Sequence, residues 1–461
     1  MEIHSERKTS SRGLSNVLKR FLASERKFTP LIFWAAIAGA LTGIIGALFQ
    51  ISIDKIGGLR QMFMDSLPQS PYVLVIASVL FSAVLVFFAF LLVRRVAPET
   101  GGSGVHEIEG ALDDVRPVRW KLVLPVKFLG GLLSLGGGMV LGREGPTIQM
   151  GGNIGKMVSD IFRTSKDDTH ALIAAGAAGG LTAAFNAPLA GILFVFEEMR
   201  PEFKYSFLSV QAVLVASAAS DIALRAIMGQ QPDISMQMIS APALSSLWLF
   251  LVFGIVFGVF GVLFNFLLVK TLDFFAGLKG HIFSMTGLLV GGLIGLLAWF
   301  FPDTVGGGYA VIPKALTGTF PVMVLLILFA ARFGTTMISY GSGAPGGIFA
   351  PMLALGTLFG MWFGHYVGFY FPGIDIRPES FAVAGMAALF CATVRAPLTG
   401  IALTIEMTGN YFLILPLIIT CLTATVVAEG LGGKPIYTVL LRRTLNMTKK
   451  VEVGSGGTST G

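Results

Sequence analysis

Long stretches without any charged side chain are the feature that most restricts how this chain can fold. Segments 72–93, 244–269 and 333–364 contain no Asp, Glu, Lys or Arg. Each is longer than the roughly 20 apolar residues that cross a bilayer as a helix. Only 13% of the whole chain is charged, whereas about a quarter of a soluble domain is. The sequence therefore predicts an integral membrane protein.

Apolar segments recur along the whole chain, and we expect each to be helical. They lie near 31–49, 72–93, 122–141, 171–196, 207–227, 244–269, 285–301, 315–331, 348–371, 381–405 and 411–428. The domain boundaries predicted from them are a cytoplasmic N-terminal segment 1–28, a membrane transport domain 29–445 and a disordered tail 446–461. The polar start predicts no cleavable signal peptide.

Basic residues crowd both ends of a chain whose net charge is +7. They are Arg7, Lys8, Arg12, Lys19, Arg20, Arg26 and Lys27 at one end, and Arg442, Arg443, Lys449 and Lys450 at the other. Positive charge beside membrane segments favours the cytoplasmic side, so both termini are predicted to be cytoplasmic. These clusters need only the lipid bilayer as a partner, and no nucleic acid is expected. Cys391 and Cys421 lie in apolar stretches, so no disulfide is expected. No nucleotide or metal motif is present, so the sequence predicts no cofactor.

An internal repeat divides the chain into two related halves, at about 31–228 and 244–440. Pro188 and Glu197 match Pro397 and Glu406 at a constant offset of 209 residues. Earlier in each half, the pattern Gly-x-x-x-Pro-x-x-x-x-Gly recurs at 142–151 and 347–356, an offset of 205. Matched halves with interrupted helices are typical of transporters, whose substrate site lies where the breaks converge. The pattern alone leaves open whether the repeats run parallel or inverted.

Three glycine-rich breaks are candidates for the substrate site, at 101–107, 142–146 and 343–351. Each precedes an apolar run, and Gly and Pro are suited to helix starts. Helix N-termini carry unpaired N–H groups and partial positive charge, so several together could bind an anion without a full cation. Such a site would release its anion more readily than one built on a buried lysine.

Three carboxylates are candidates for gating, structural and proton-transfer roles. Glu144 stands at a predicted helix start, where its charge would compete with the transported anion until it is protonated; a simple helix-start carboxylate is the alternative. Glu197 has the repeat partner Glu406, which favours a structural role in bonding backbone N–H groups. Glu198 matches Met407 instead, which favours proton transfer over a membrane-edge carboxylate.

Four ordered motifs resemble the CLC family of chloride channels and proton-coupled chloride transporters. They are Gly-Ser-Gly-x-x-Glu at 102–107, Gly-Arg-Glu-Gly-Pro at 142–146, Gly-x-Phe-x-Pro at 347–351 and Gly-Lys-Pro-Ile-Tyr at 433–437. The likeness covers about 30–440. It implies an all-α polytopic membrane protein with two inverted repeats of tilted and broken helices, and a homodimer with one pathway in each subunit.

The resemblance also implies roles for individual residues. The hydroxyls of Ser103 and Tyr437, with the N–H groups of Ile348 and Phe349, would hold the central anion. Glu144 would be the outer gate and Glu198 the inner proton-transfer residue. Supporting positions in these motifs are Gly104, Gly142, Arg143, Gly145, Pro146 and Gly347.

The carboxylate at 198 resembles the exchangers, and the lack of a C-terminal regulatory domain resembles the prokaryotic members. We therefore expect a chloride–proton antiporter of a bacterial cytoplasmic (inner) membrane, and no enzyme. A passive chloride channel of the same fold is the close alternative. The remote one is an intramembrane serine protease, because Ser103 lies in a Gly-x-Ser-Gly pattern. One departure is His106, where the family usually has Pro; we interpret it as a tolerated replacement rather than a pH sensor.

Overall fold

The computed structural model describes residues 6–199, 205–230, 234, 236, 238–374 and 376–456. These residues form α-helices joined by short turns. The first half contains α1 Glu6–Ser66, α2 Pro71–Arg95, α3 Val105–Leu112, α4 Trp120–Gly136, α5 Glu144–Phe162, α6 Lys166–Phe185, α7 Pro188–Glu197 and α8 Phe207–Met228. The second half contains α9 Leu247–Gly277, α10 Gly280–Phe300, α11 Val311–Leu316, α12 Val322–Gly341, α13 Phe349–Tyr370, α14 Pro378–Val394, α15 Pro397–Thr408, α16 Ile414–Gly430 and α17 Ile436–Gly456.

Eight helices in the described part of the chain are long and apolar enough to cross a membrane. The predicted all-α polytopic fold is confirmed. Several predicted segments have different limits, however. The segments 171–196 and 381–405 are each two helices, and 315–331 covers the end of α11 and the first half of α12. Helix α17 crosses the predicted boundary at 445 and reaches Gly456, and 457–461 lie outside the described residues.

The two broken segments break at equivalent places. Asn186 caps the end of α6 and Arg395 caps the end of α14, two non-glycine residues with left-handed φ angles of 53° and 74°. Their numbers differ by 209, the offset of the repeat. A proline then opens the next helix, Pro188 in α7 and Pro397 in α15, where the missing N–H costs nothing. In both halves, a residue with left-handed φ ends one helix and a proline begins the next.

The core of each half is a pair of closely packed helices, α5 on α6 and α13 on α14. A β-carbon at Gly151 would clash with the carbonyl of Gly176, and one at Gly356 would clash with the carbonyl of Gly385. Small residues thus let each pair approach backbone to backbone. Because α5 is enclosed by protein, its Gln149 and Asn153 are buried rather than exposed to lipid.

The two halves run in opposite directions where they meet. Gly142 and Gly347, equivalent residues of the repeat, pair as an antiparallel bridge in which each N–H donates to the other's carbonyl, at 2.8 and 2.7 Å. A reciprocal exchange between equivalent residues is the mark of a twofold relation. The equivalent helices α7 and α15 also run in opposite directions, because Glu197 at the end of α7 contacts the start of α15 and Glu406 in the last turn of α15 contacts the start of α7. The question that the sequence pattern left open is therefore answered in favour of inverted repeats.

Candidate anion-binding site

The three predicted breaks meet in space. Besides the Gly142–Gly347 pair, the N–H of Gly102 donates to the carbonyl of Ala344 at 3.1 Å, and the N–H of Gly346 donates to the carbonyl of Gly102 at 3.0 Å. Backbone hydrogen bonds therefore join all three breaks. Irregular backbone at membrane depth is tolerated only in such enclosed surroundings.

Four helices begin at this junction, α3 and α5 from the first half and α13 and α17 from the second. Each start leaves backbone N–H groups without helical partners. Helix α3 follows Gly104, whose φ of +83° lies in the left-handed region that glycine adopts without strain. The first residues of α5 and α13, Glu144 and Phe349, differ by 205, the offset of the repeat. Two equivalent helix starts thus face the same region.

The residues predicted to hold the anion lie at these helix starts. Ile348 precedes the first residue of α13, Phe349, and both are fully buried. Ser103 and Tyr437 are also fully buried, and neither hydroxyl has a hydrogen-bond partner among the described residues. The Tyr437 side chain lies close to Ser103, and its ring stacks on Phe349 with centroids 6.1 Å apart. Two buried hydroxyls without partners are what an anion site requires, because an unsatisfied buried donor is costly.

Ser103 has no histidine bonded to its hydroxyl in the part of the chain that the structure describes. A serine protease needs such a base to activate its nucleophile. The protease alternative therefore has no support in the geometry.

The side chain of Glu144 occupies part of this site. It is fully buried. One carboxylate oxygen accepts a hydrogen bond from the N–H of Ala350, at 3.4 Å, in the first turn of α13. The other accepts from the hydroxyl of Tyr309. A carboxylate held by a helix N-terminus stands where a free anion would be favoured.

The supporting residues fix the start of α5. The Nε of Arg143 donates to the carbonyl of Ala184 at 3.0 Å, and its guanidinium carbon lies 4.2 Å from the centre of the Tyr309 ring. Gly145 is required because a β-carbon there would lie 2.5 Å from the Ser103 hydroxyl oxygen. Pro146 occupies the first turn and is buried. Each predicted supporting position thus contacts or borders the site.

The adjacent glutamates of α7 have different surroundings. The carboxylate of Glu197 accepts bonds from the N–H groups of Leu398 and Thr399, at 2.9 and 2.6 Å, so its predicted structural role is confirmed. Glu198 is half-buried at the end of α7 and lies near Tyr437. Glu198 is therefore on the Tyr437 side of the anion site.

Three polar residues near the site, two of them buried and Tyr309 partly buried, were not singled out by the sequence. Lys127 is fully buried, but its ammonium donates to the carbonyls of Thr100 and Gly102, at 2.9 and 2.7 Å, and so supports the break before Ser103. Glu109 is 3% exposed and lies near Tyr437. Tyr309 directly follows the glycine cluster 306–308. Its first two glycines match Gly101 and Gly102 at the repeat offset of 205, and this match was the one signal that could have found Tyr309.

Two cavities border the site. One, of about 490 Å³, is lined by Arg143 and Tyr309 together with the loop 302–308. The other, of about 570 Å³, is lined by Gly102, His106 and Tyr340. His106 is in the first turn of α3, as predicted, and only 8% exposed. The two cavities share no lining residue, so the site is bordered by two separate spaces.

Inverted repeats, four convergent helix starts and a carboxylate in the anion's place define a membrane transport protein for small anions. Residues 85–429 match the family described as voltage gated chloride channel, and the chain belongs to this family, the CLC proteins.

Two relatives and a solved structure of this family are similar to the chain over most of its length. The chain is 54% identical over 423 residues to the H(+)/Cl(-) exchange transporter ClcA of Vibrio parahaemolyticus, covering 91% of each. It is 52% identical over 438 residues to ClcA of Vibrio cholerae, covering 94% of each. The crystal structure of a slow cyanobacterial Cl−/H+ antiporter matches with a TM-score of 0.88 and 44% identity, over 90% of this chain and 98% of that one.

Proposed function

We propose that this protein exchanges chloride for protons across a bacterial cytoplasmic membrane. The observation that carries the proposal is the position of Glu144, whose carboxylate accepts from the N–H of Ala350 beside the unpartnered hydroxyls of Ser103 and Tyr437. The ClcA relatives named above as exchange transporters support the same activity.

The coupling follows from competition for one positive field. Chloride and the ionised Glu144 are both favoured at the helix N-termini, so they exclude each other there. Protonation removes the negative charge from the side chain, which leaves and opens a path for chloride. When the side chain returns, it displaces chloride toward the outer solution and gives the proton that it took from that solution to Glu198 on the inner side. Each cycle therefore moves chloride and protons in opposite directions.

Glu198 is the proposed second proton-transfer residue. Glu198 lies at the end of α7, near Tyr437. This position supports a proton route that separates from the anion route near this tyrosine. A passive channel needs only one gate and no second carboxylate. Glu198 is the feature that favours an exchanger.

The experiment uses the purified protein in liposomes with an imposed chloride gradient, and records external chloride and pH together. An exchanger moves protons against their own gradient, in the direction opposite to chloride. Chloride movement with no accompanying proton movement would establish the passive channel instead.

We further propose a homodimer with one pathway in each subunit and with all termini in the cytoplasm. Helices α7 and α15 have 10 and 12 residues, too few to span a bilayer alone. They carry the equivalent residues Leu189 and Leu398, which are 51% and 54% exposed, close to the carboxylates of Glu406 and Glu197. A second copy packed over these helices would keep those carboxylates away from lipid.

The dimer is tested by light scattering of the detergent-solubilised protein. Replacing both leucines by Gln is expected to give a mass of one chain, whereas Leu293→Gln on the exposed face of α10 serves as the matched control. A single-chain mass for the unmodified protein would contradict the dimer.

A further inference from the structure

We propose that Tyr309 is a latch for the gate: its hydroxyl holds the Glu144 carboxylate in the anion's place and so sets how acidic the solution must be to open the pathway. The inference rests on the proposed gating role of Glu144. It makes Tyr309 a positioning residue, since it acts on the transported ion only through the glutamate.

The contact itself is specific. The Tyr309 hydroxyl donates to one oxygen of the Glu144 carboxylate, and the N–H of Ala350 donates to the other. The two donors come from different parts of the second half, the loop before α11 and the start of α13. A charge-assisted hydrogen bond of this kind is stronger than one between neutral groups.

The loop that carries Tyr309 is fixed to the rest of the protein. Arg332 of α12, which is fully buried, donates to the carbonyls of Asp303, Val305 and Gly306 at 2.8, 3.0 and 2.6 Å. The N–H of Gly306 donates to the carbonyl of Gly138 at 2.9 Å. A latch must stay in place while the gate moves, and these bonds provide the anchor.

Charged groups of several elements face this region and remain the same when only the hydroxyl is removed. Arg143, directly before α5, stacks on the Tyr309 ring, and Arg332 of α12 bonds to the loop. The cavity beside Tyr309 is also lined by Asp54 and Arg60 of α1 and by Asp303 of the loop. Replacing Tyr309 by Phe keeps the ring over Arg143. The substitution therefore isolates the hydrogen bond from the surrounding charges.

The sign of the effect follows from what the hydroxyl favours. A donor to the carboxylate stabilises the charged, docked form of Glu144 and opposes protonation. Without it, the gate accepts a proton at lower proton concentration. Hydrogen bonds to charged groups imply a shift of about one pH unit. Chloride also competes with a less firmly held carboxylate, so its apparent affinity rises.

The test measures chloride efflux from liposomes as a function of pH for the unmodified protein and for Tyr309→Phe. The midpoint of activation by acid is expected to move to higher pH by about one unit. Tyr366→Phe, on the exposed part of α13, is the matched control and should leave the midpoint in place. Superimposable curves for Tyr309→Phe and the unmodified protein would overturn the latch.

A second variant guards against a folding defect. Tyr309→Leu removes the hydroxyl together with the ring and should shift the midpoint in the same direction, judged on material that elutes as a single species. A shift in the opposite direction would assign the effect to the ring and overturn the proposal.

The Glu144→Gln background separates this inference from the proposed function. If Glu144 is the gate, Glu144→Gln transports chloride at a rate independent of pH, and adding Tyr309→Phe changes nothing. A rate that still follows pH in Glu144→Gln alone would refute the gate assignment itself. A flat profile in Glu144→Gln that becomes pH-dependent on adding Tyr309→Phe would leave the gate intact and refute the latch.

Discussion

Glu197 and Glu406 each cap the start of the helix that carries the other. Glu197 ends α7 and accepts from the first N–H groups of α15, while Glu406 of α15 accepts from the N–H groups of Leu189 and Ala190 in α7, at 3.0 and 2.8 Å. All three pairs of positions, Glu197 and Glu406, Leu189 and Leu398, and Ala190 and Thr399, obey the offset of 209. The two short helices are thus fastened head to tail across the twofold axis of the repeat.

This arrangement predicts equal structural roles for the two carboxylates. Glu197→Ala and Glu406→Ala should each destabilise the protein by about 1–2 kcal/mol, because each leaves helix-start donors without an acceptor. The measurement is thermal unfolding in detergent. Proton transport per folded molecule should be retained in Glu197→Ala; a stable variant that moves chloride without protons would mean that the roles of Glu197 and Glu198 are exchanged.

Glu144→Gln is expected to keep chloride transport and lose both its pH dependence and proton movement. The amide resembles the protonated acid in shape and carries no charge to compete with the anion. Parallel chloride and pH recordings from liposomes provide the measurement. Glu379→Gln, at the start of α14, is a control that changes a helix-start carboxylate elsewhere. Continued uphill proton movement in Glu144→Gln would show that another group carries the proton.

Glu198→Gln should stop proton transport while chloride still moves. The residue lies at the end of α7 and is not among the helix starts and hydroxyls proposed to hold the anion, so its charge is not required for the anion to pass. The same liposome recordings apply. Loss of both ions together in correctly folded protein would place Glu198 on the shared path and contradict a separate proton route.

His106→Pro is expected to leave the pH dependence of chloride binding unchanged. The imidazole is buried in the first turn of α3, and a proton there would add positive charge to an already positive helix start. Calorimetry in the Glu144→Gln background removes the main titrating gate. Chloride affinity that rises with acidity, and that His106→Pro abolishes, would instead make this histidine a pH sensor.

The sequence predicted the helices that face lipid better than those that face protein. Helix α9 was found because lipid contact demands an apolar surface along its length. The start of helix α5 at Glu144 was predicted, but its extent was not, because the helix is enclosed by protein and accommodates polar side chains such as Gln149 and Asn153. Among site residues, those within glycine motifs were found. Tyr309 was missed because its contact with Glu144 joins positions 165 residues apart.

The reciprocal bonds between Gly142 and Gly347 have a consequence for how such a protein could arise. One half supplies two of the four helix starts and half of each backbone exchange, so by itself it encloses no anion. The partner it needs is a copy of itself inserted upside down. A half of this kind that enters the membrane in both orientations would pair with its own copy in the same way, and joining two halves in one chain fixes one of each orientation in a permanent pair.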